Sequence, residues 1–195
     1  MIAFALAILA GLGLVVYAVR AQGAPSSAPP SSAPSSPPAD AQPSPSTVFQ
    51  GSTTTPASTW ELPARGEPFA ASIRAAEFRY NLPPMLLARV LWQESRFRED
   101  IITGAVRDSA GSIGIAQFQQ ATADRYGVDP LNPFQSIEGA AHYLRDLFNQ
   151  FGDWASAIAA YNWGEGNLAK FGIARAPRST RAYVAGVLAD IGLTT

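Results

Sequence analysis

The sequence predicts an all-α fold for the carboxyl-terminal two-thirds of the chain. Three observations carry that expectation. Apolar residues recur at i, i+3, i+4 and i+7 in several separate windows, the period of one helix face. Helix punctuation bounds those windows, with Asp, Asn or Thr before them and Gly after them. No stretch alternates with period two, and no hairpin signal occurs in the region.

The chain has 195 residues, enough for one medium domain or a small domain with appendages. Its formal net charge is −1, so nothing in the balance points to nucleic acid or to electrostatic binding of an anionic membrane. There is no cysteine, which excludes disulfides, thiolate metal sites and a lipid-modified amino-terminal cysteine. It also suits an oxidising or exposed compartment.

Ile2 to Val19 is an apolar run without charge, ended by Arg20. As a helix it spans about 27 Å, marginally enough for a bilayer core. A cleaved secretory signal is the alternative, with Ala21-Gln22-Gly23 as a small-x-small cleavage site. The run lacks a basic leader and is long for a signal, so residues 1–20 are expected to be a retained membrane anchor. Arg20 by the positive-inside rule favours a cytoplasmic carboxyl end. From 21 to 66 the composition turns to Pro, Ser and Ala, with Ala-Pro-Ser-Ser at 24–27 and again at 33–36. Such a segment buries too little apolar surface to offset its ordering entropy. Proline at this density favours polyproline II, so a semi-stiff disordered linker is expected, reaching on the order of 140 Å at full extension.

Residues 67–195 are the expected folded domain. Phe69, Ile73, Ala76 and Tyr80 keep helical spacing, and Pro83-Pro84 reads as a break and a restart in a first helical turn. The next helix carries Leu87, Val90 and Leu91 on one face and fades by about Arg98. Residues 99–113 read as loop, and a short helix is expected from Gly114. Another runs from Gln120 to Tyr126, closed by Gly127. Asn132-Pro133 opens the longest helix, with the stripe Ile137, Ala141, Leu144, Phe148 and Phe151, stopped by Gly152. Asp153 caps a helix whose face is Trp154, Ala157, Ile158 and Tyr161; Gly164 and Gly166 interrupt it, and a short helix follows to Phe171. Ser179 or Thr180 caps a last helix with Tyr183, Val184, Val187, Leu188 and Ile191 inward. About 130 residues suffice for one core.

One residue breaks the pattern in a way that suggests chemistry. Glu94 extends the stripe of Leu87, Val90 and Leu91, so a carboxyl sits where an aliphatic side chain belongs. Desolvation and a helix carboxyl terminus both favour its protonated form, the form that donates a proton to a leaving oxygen. Other chemistries find little support. Lone His142 lies beside its stripe and reads as a partly exposed structural residue. With no second histidine and no spaced carboxylates, no metal site is expected, and no cofactor either. Ser95 lacks a base for a triad, and Gly111-Ser112-Ile113-Gly114 neither follows a strand nor carries the lysine of a phosphate loop. Gln117 in a glycine-flanked segment, with Tyr161-Asn162 at a helix end, supplies the amides, phenol and flat rings that a sugar cleft needs. Each also has an ordinary reading, Tyr161 as core and Asn162 as a helix cap.

Glu94-Ser95-x-Phe97, then Gly114-Ile115-Ala116-Gln117, then Ala160-Tyr161-Asn162-x-Gly164 together resemble the lytic transglycosylase (SLT) domain of the lysozyme-like superfamily. The similarity covers roughly 70 to 190 and includes Thr180-Arg181-Ala182-Tyr183-Val184, which is similar to the family's closing helix. The resemblance implies a lysozyme-like helical domain and cleavage of the β-1,4 bond between N-acetylmuramic acid and N-acetylglucosamine. It implies that Glu94 protonates the leaving oxygen and then activates the muramyl C6 hydroxyl, giving a 1,6-anhydro product. Gln117, Tyr161 and Asn162 would make cleft contacts, and Ser95 would support Glu94. The chemistry also explains why one acid suffices: most glycosidases need two carboxylates, but here the substrate's own hydroxyl ends the reaction.

Three departures stand out. Ile115-Ala116 replaces the usual leucine-methionine, and Trp163 the usual small residue after Tyr-Asn. Asp108, nine residues before Gln117, stands where goose-type lysozymes hold an acid that manages a water; their second acid would fall at Gln119. A hydrolase is therefore the runner-up, with Asp108 positioning water, unless Asp108 is a turn carboxylate. A non-catalytic peptidoglycan-binding module is the third reading. The implied partners are glycan strands of peptidoglycan and the membrane, with the catalytic domain on the cell-wall side, or a virion if the source is viral.

Overall fold

Over residues 60–193, the part of the chain that the computed structural model describes, the amphipathic windows are helices and none is a strand. The expected anchor at 1–20 and most of the expected linker lie outside the described residues. Among the described residues no helix is long and apolar enough to cross a membrane. The packed region begins upstream of Glu67: Trp60 and Leu62 lie against the core, and Ala64–Phe69 forms a 3-10 turn.

Eight α-helices follow: α1 (Ala70–Arg79), α2 (Leu86–Ser95), α3 (Glu99–Ile102), α4 (Gln120–Tyr126), α5 (Pro133–Phe151), α6 (Trp154–Trp163), α7 (Glu165–Phe171) and α8 (Arg178–Asp190). The centre is α5, which packs against α1, α4 and α6, while α6 and α2 both pack against α8. Their shared interior is formed by Leu86, Leu87, Leu91, Ile137, Leu144, Leu147 and Ile158, all fully buried. Each such side chain removed from water stabilises the fold by roughly 1.5–3 kcal/mol.

Local chemistry sets several ends as expected. Asn132 Oδ1 accepts from the N–H groups of Phe134 (3.1 Å) and Gln135 (3.2 Å), and Asp153 Oδ1 accepts from Ser156 N at 2.7 Å. Gly127 (φ 64°) and Gly152 (φ 86°) end α4 and α5 in the left-handed conformation.

Four expectations need correction. Pro83-Pro84 lies in the turn before α2, not in its first helical turn. The region 99–113 is not all loop, since α3 occupies Glu99–Ile102; four residues are too few to show a period. No helix starts at Gly114. Instead Ile113 and Phe118 form an isolated antiparallel bridge, N–H to C=O in both directions, around a tight turn. Finally, Pro177 precedes α8, and Thr180 lies inside its first turn with its hydroxyl committed elsewhere.

Candidate active site

Helix α2 ends one residue after Glu94 because the backbone turns left-handed at Arg96 (φ 53°) and Phe97 (φ 50°). Two consecutive non-glycine residues in that region are strained, and such strain persists only where neighbours over-determine it. Ser95 is one of those neighbours. Its hydroxyl donates to Leu91 O (3.1 Å) and accepts from Phe97 N (3.2 Å), while Phe97 buries its ring against Phe69 and Trp92. Ser95 is fully buried and both of these bonds are to backbone, so it shapes the elbow after Glu94 and offers no surface to a ligand.

Glu94 itself is partly buried. Tyr183 on α8 donates its hydroxyl to Glu94 Oε1 at 2.6 Å. The second oxygen, Oε2, has no donor among the described residues and is not sealed from solvent. Burial pushes the Glu94 carboxyl up to about 7; the Tyr183 bond opposes the rise, and the Asp108 charge adds to it. Near neutrality it therefore populates both the acid and the carboxylate. Tyr161 and Tyr183 are both held well above the ordinary phenol range, first by burial and then by the Glu94 charge, so both stay protonated donors.

The other side of the site is the turn from Ser112 to Phe118. Gly114 (φ 74°) passes so close to Pro130 that an added Cβ would stand 1.8 Å from its carbonyl oxygen, so no side chain fits there. Gln117 is left-handed as well (φ 50°), and its amide donates to Gly114 O at 2.9 Å. Tyr161 reaches across from α6 and donates to Ala116 O at 2.9 Å. That bond ties the turn to α6 beside Glu94.

Asp108 is exposed, and both its oxygens serve its own loop. Oδ1 accepts from Ala110 N (3.0 Å) and Ser112 N (2.8 Å), and Oδ2 from the Ser112 hydroxyl (3.0 Å). Gln119 donates to the same hydroxyl at 3.1 Å. Asn162 accepts from Thr180 Oγ1 at 2.9 Å, joining α6 to α8 one turn before Tyr183. It is therefore not the residue that ends α6; Gly164 is. Trp163 points to the α7 side, its ring 6.0 Å from that of Phe171.

The fold thus brings Glu94, Tyr161, Asp108 and the Gln117 turn within electrostatic or bonding reach of one another, and leaves Ser95 behind the wall. Two participants were missed in the sequence. Tyr183 reads there as one more inward residue of an amphipathic helix, although a phenol in an aliphatic stripe demands a partner. Ser112, nearly buried, is the hub of the Asp108 loop. His142 is exposed and stacks on Tyr80 at 5.0 Å, away from these groups. Among the described residues no cluster of His, Cys, Asp and Glu is able to hold a metal ion.

Residues 71–183 match the Transglycosylase SLT domain family. The chain is 34% identical over 123 residues to a protein named Transglycosylase from Enterobacteria phage PRD1, a match covering 63% of this chain and 42% of that protein. It is 32% identical over 115 residues to Membrane-bound lytic murein transglycosylase F of Maricaulis maris, covering 55% of this chain and 23% of the relative. A protein named X polypeptide from Escherichia coli is 33% identical over 92 residues, covering 44% of this chain and 54% of its own length. In each case the match spans well under two-thirds of the relative.

Proposed function

The chain belongs to the transglycosylase SLT domain family, and on that premise we propose that it is a peptidoglycan lytic transglycosylase cleaving the β-1,4 bond between N-acetylmuramic acid and N-acetylglucosamine. In this reading Glu94 in its acid form gives the proton on Oε2 to the glycosidic oxygen as the bond to muramyl C1 breaks. Tyr183 occupies Oε1, which leaves Oε2 as the oxygen facing substrate. Glu94, now a carboxylate, takes the proton of the muramyl C6 hydroxyl as that oxygen bonds to C1. The product is a 1,6-anhydro end, no water is consumed, and the acid is regenerated. Gln117, Tyr161 and Asn162 contribute polar contacts around the sugar, and Ser95 and Tyr183 hold Glu94.

The observation that carries the reading is the state of Glu94: one partly buried acid whose pKa desolvation pushes up to about 7, with Oε1 held by Tyr183 and Oε2 without a donor among the described residues. A hydrolase would need Asp108 to manage a water, and the commitment of both Asp108 oxygens to its own loop weighs against that. Mass spectrometry of digested sacculi tests the choice. Anhydro ends support the transglycosylase, reducing ends with incorporated solvent oxygen the hydrolase. A zymogram without clearing at any pH would leave only a binding module.

In the same reading residues 1–20 anchor the chain and the Pro/Ser-rich segment tethers the domain on the cell-wall side of a membrane. The names of the membrane-bound relatives support this, and the phage relative's name supports a particle-borne version. Protease protection of the carboxyl domain in intact cells tests it; cleavage only after cytoplasmic access would refute it.

A further inference from the structure

Helices α2 and α8 pack along an antiparallel seam with two polar rungs. At one end Tyr183 meets Glu94, at 2.6 Å. At the other, Arg89 Nε donates to Asp190 Oδ2, also at 2.6 Å. Between them Gly186 faces the Arg89 guanidinium and the Gln93 amide; a Cβ there would meet Arg89 Nη2 at 3.8 Å and Gln93 Nε2 at 4.0 Å. Trp60 covers the guanidinium from outside, its ring centre 5.6 Å from Cζ.

Arg89 is an expensive residue for this place. Its side chain is only 9% exposed, and Nη1 is sealed from solvent without a hydrogen-bond partner. A buried ion pair rarely adds stability over apolar residues of the same volume, and its best-attested use is to fix a register. Buried aliphatic side chains of the two helices, among them Val90 on α2 and Val184, Val187 and Leu188 on α8, belong to the same core, and apolar contact is non-directional, so it fixes register less sharply than a hydrogen bond does. A slide of about 1 Å along the helix would break a short hydrogen bond at the other end.

We infer that Arg89 is a positioning residue for the reacting carboxyl: its ion pair with Asp190 locks α8 on α2 at the register in which Tyr183 meets Glu94. The inference rests on the proposed function for its catalytic consequence, but the register itself is readable without activity.

The test is a double-mutant cycle on the full chain, read by carbon NMR titration of the Glu94 carboxyl and by kcat and KM on purified sacculi. Arg89→Met/Asp190→Met replaces the pair with apolar volume and preserves the fold. It raises the Glu94 titration midpoint, because the Tyr183 bond that opposes the rise is loosened, and it lowers kcat about tenfold (~1.4 kcal/mol) with KM unchanged. Asp190→Leu alone, which removes the acceptor together with the charge, moves the midpoint the same way. That variant leaves the Arg89 charge uncompensated, so a direct electrostatic effect would lower the midpoint instead. In a Tyr183→Phe background neither change adds further, since the bond they protect is gone. The remaining groups around Glu94 (Asp108 on its loop, Arg96 on the elbow, Tyr161 on α6) are common to every arm. An unmoved midpoint in Arg89→Met/Asp190→Met, or effects that simply add to those of Tyr183→Phe, would overturn the inference. A wild-type protein inert on sacculi whose midpoint still follows the cycle would overturn the proposed function and leave the register standing.

Discussion

Helix α2 meets a carboxyl group at each end, Glu77 buried and Glu94 partly buried, and the two are put to opposite uses. At its amino terminus Glu77, from α1, accepts from the N–H groups of Met85 (3.2 Å), Leu87 (3.0 Å) and Ala88 (3.4 Å). Met85 is left-handed and gives no side-chain cap, so Glu77 takes the capping role from another helix. The helix dipole favours a negative charge there. At the carboxyl terminus Glu94 has one phenol, an unfavourable dipole and a free oxygen. Burial raises both carboxyls above their ordinary range. A raised pKa therefore does not by itself mark a catalytic acid. What separates the two is saturation: Glu77 spends its acceptors on backbone, and Glu94 keeps one in reserve.

Amide substitution breaks the comparison most sharply. Glu94→Gln removes the donor and should lower turnover on sacculi by roughly 10²–10⁴-fold, the range for a lost general acid, with no loss of folding by circular dichroism. Glu77→Ala should do the reverse. Leaving three N–H groups without acceptors costs about 4 kcal/mol, measured by urea unfolding, with the activity per folded molecule unchanged. Glu77→Gln sharpens the contrast, because an amide oxygen still accepts from Leu87 and Ala88; only the Met85 bond goes, at about 1 kcal/mol.

Titration separates the two sites again. The Glu94 pKa is raised on folding, so its contribution to stability is fully present below about 4.5 and is lost as pH rises through about 7. Above that range the ionised carboxyl burdens the fold by about 3 kcal/mol, which Glu94→Gln should relieve. Wild type and variant should unfold alike at pH 4 and diverge at pH 9, with Glu94→Gln the more stable. Activity should hold to about pH 6 and fall only as pH passes about 7, since the donating form is the protonated one. A Glu94→Gln protein no more stable than wild type at pH 9 would mean that the carboxyl is better solvated than its setting indicates.

How much of this was legible in the sequence depends on how local the physics is. The ends of α5 and α6 were readable because Asn132, Asp153 and Gly152 act on backbone within three residues of themselves. Glu94 was readable as a fault in a periodic stripe. The failures involve partners far away in sequence. Thr180 had the chemistry of a cap and spends it on Asn162, 18 residues earlier. Tyr183 lies 89 residues from the oxygen it holds, and its own helix says only that an inward phenol needs a partner, not which one.

The smallest effect tests that last assignment. Tyr183→Phe deletes one hydroxyl and keeps the ring, so the packing of α8 should survive. The lost bond is one that favours the Glu94 carboxylate, so its removal must raise the pKa further. Two consequences then pull against each other. A higher pKa keeps Glu94 protonated over a wider range and shifts the alkaline limb of the rate profile upward. The same change makes the acid a weaker donor and removes the contact that reserves Oε2 for substrate, so the plateau should drop severalfold. A limb that moves up while the plateau falls is the signature of a phenol acting on the acid itself. If the plateau fell with the limb unmoved, Tyr183 would be acting on substrate, and the contrast between a saturated and an unsaturated glutamate would lose the restraint that keeps the second one aimed.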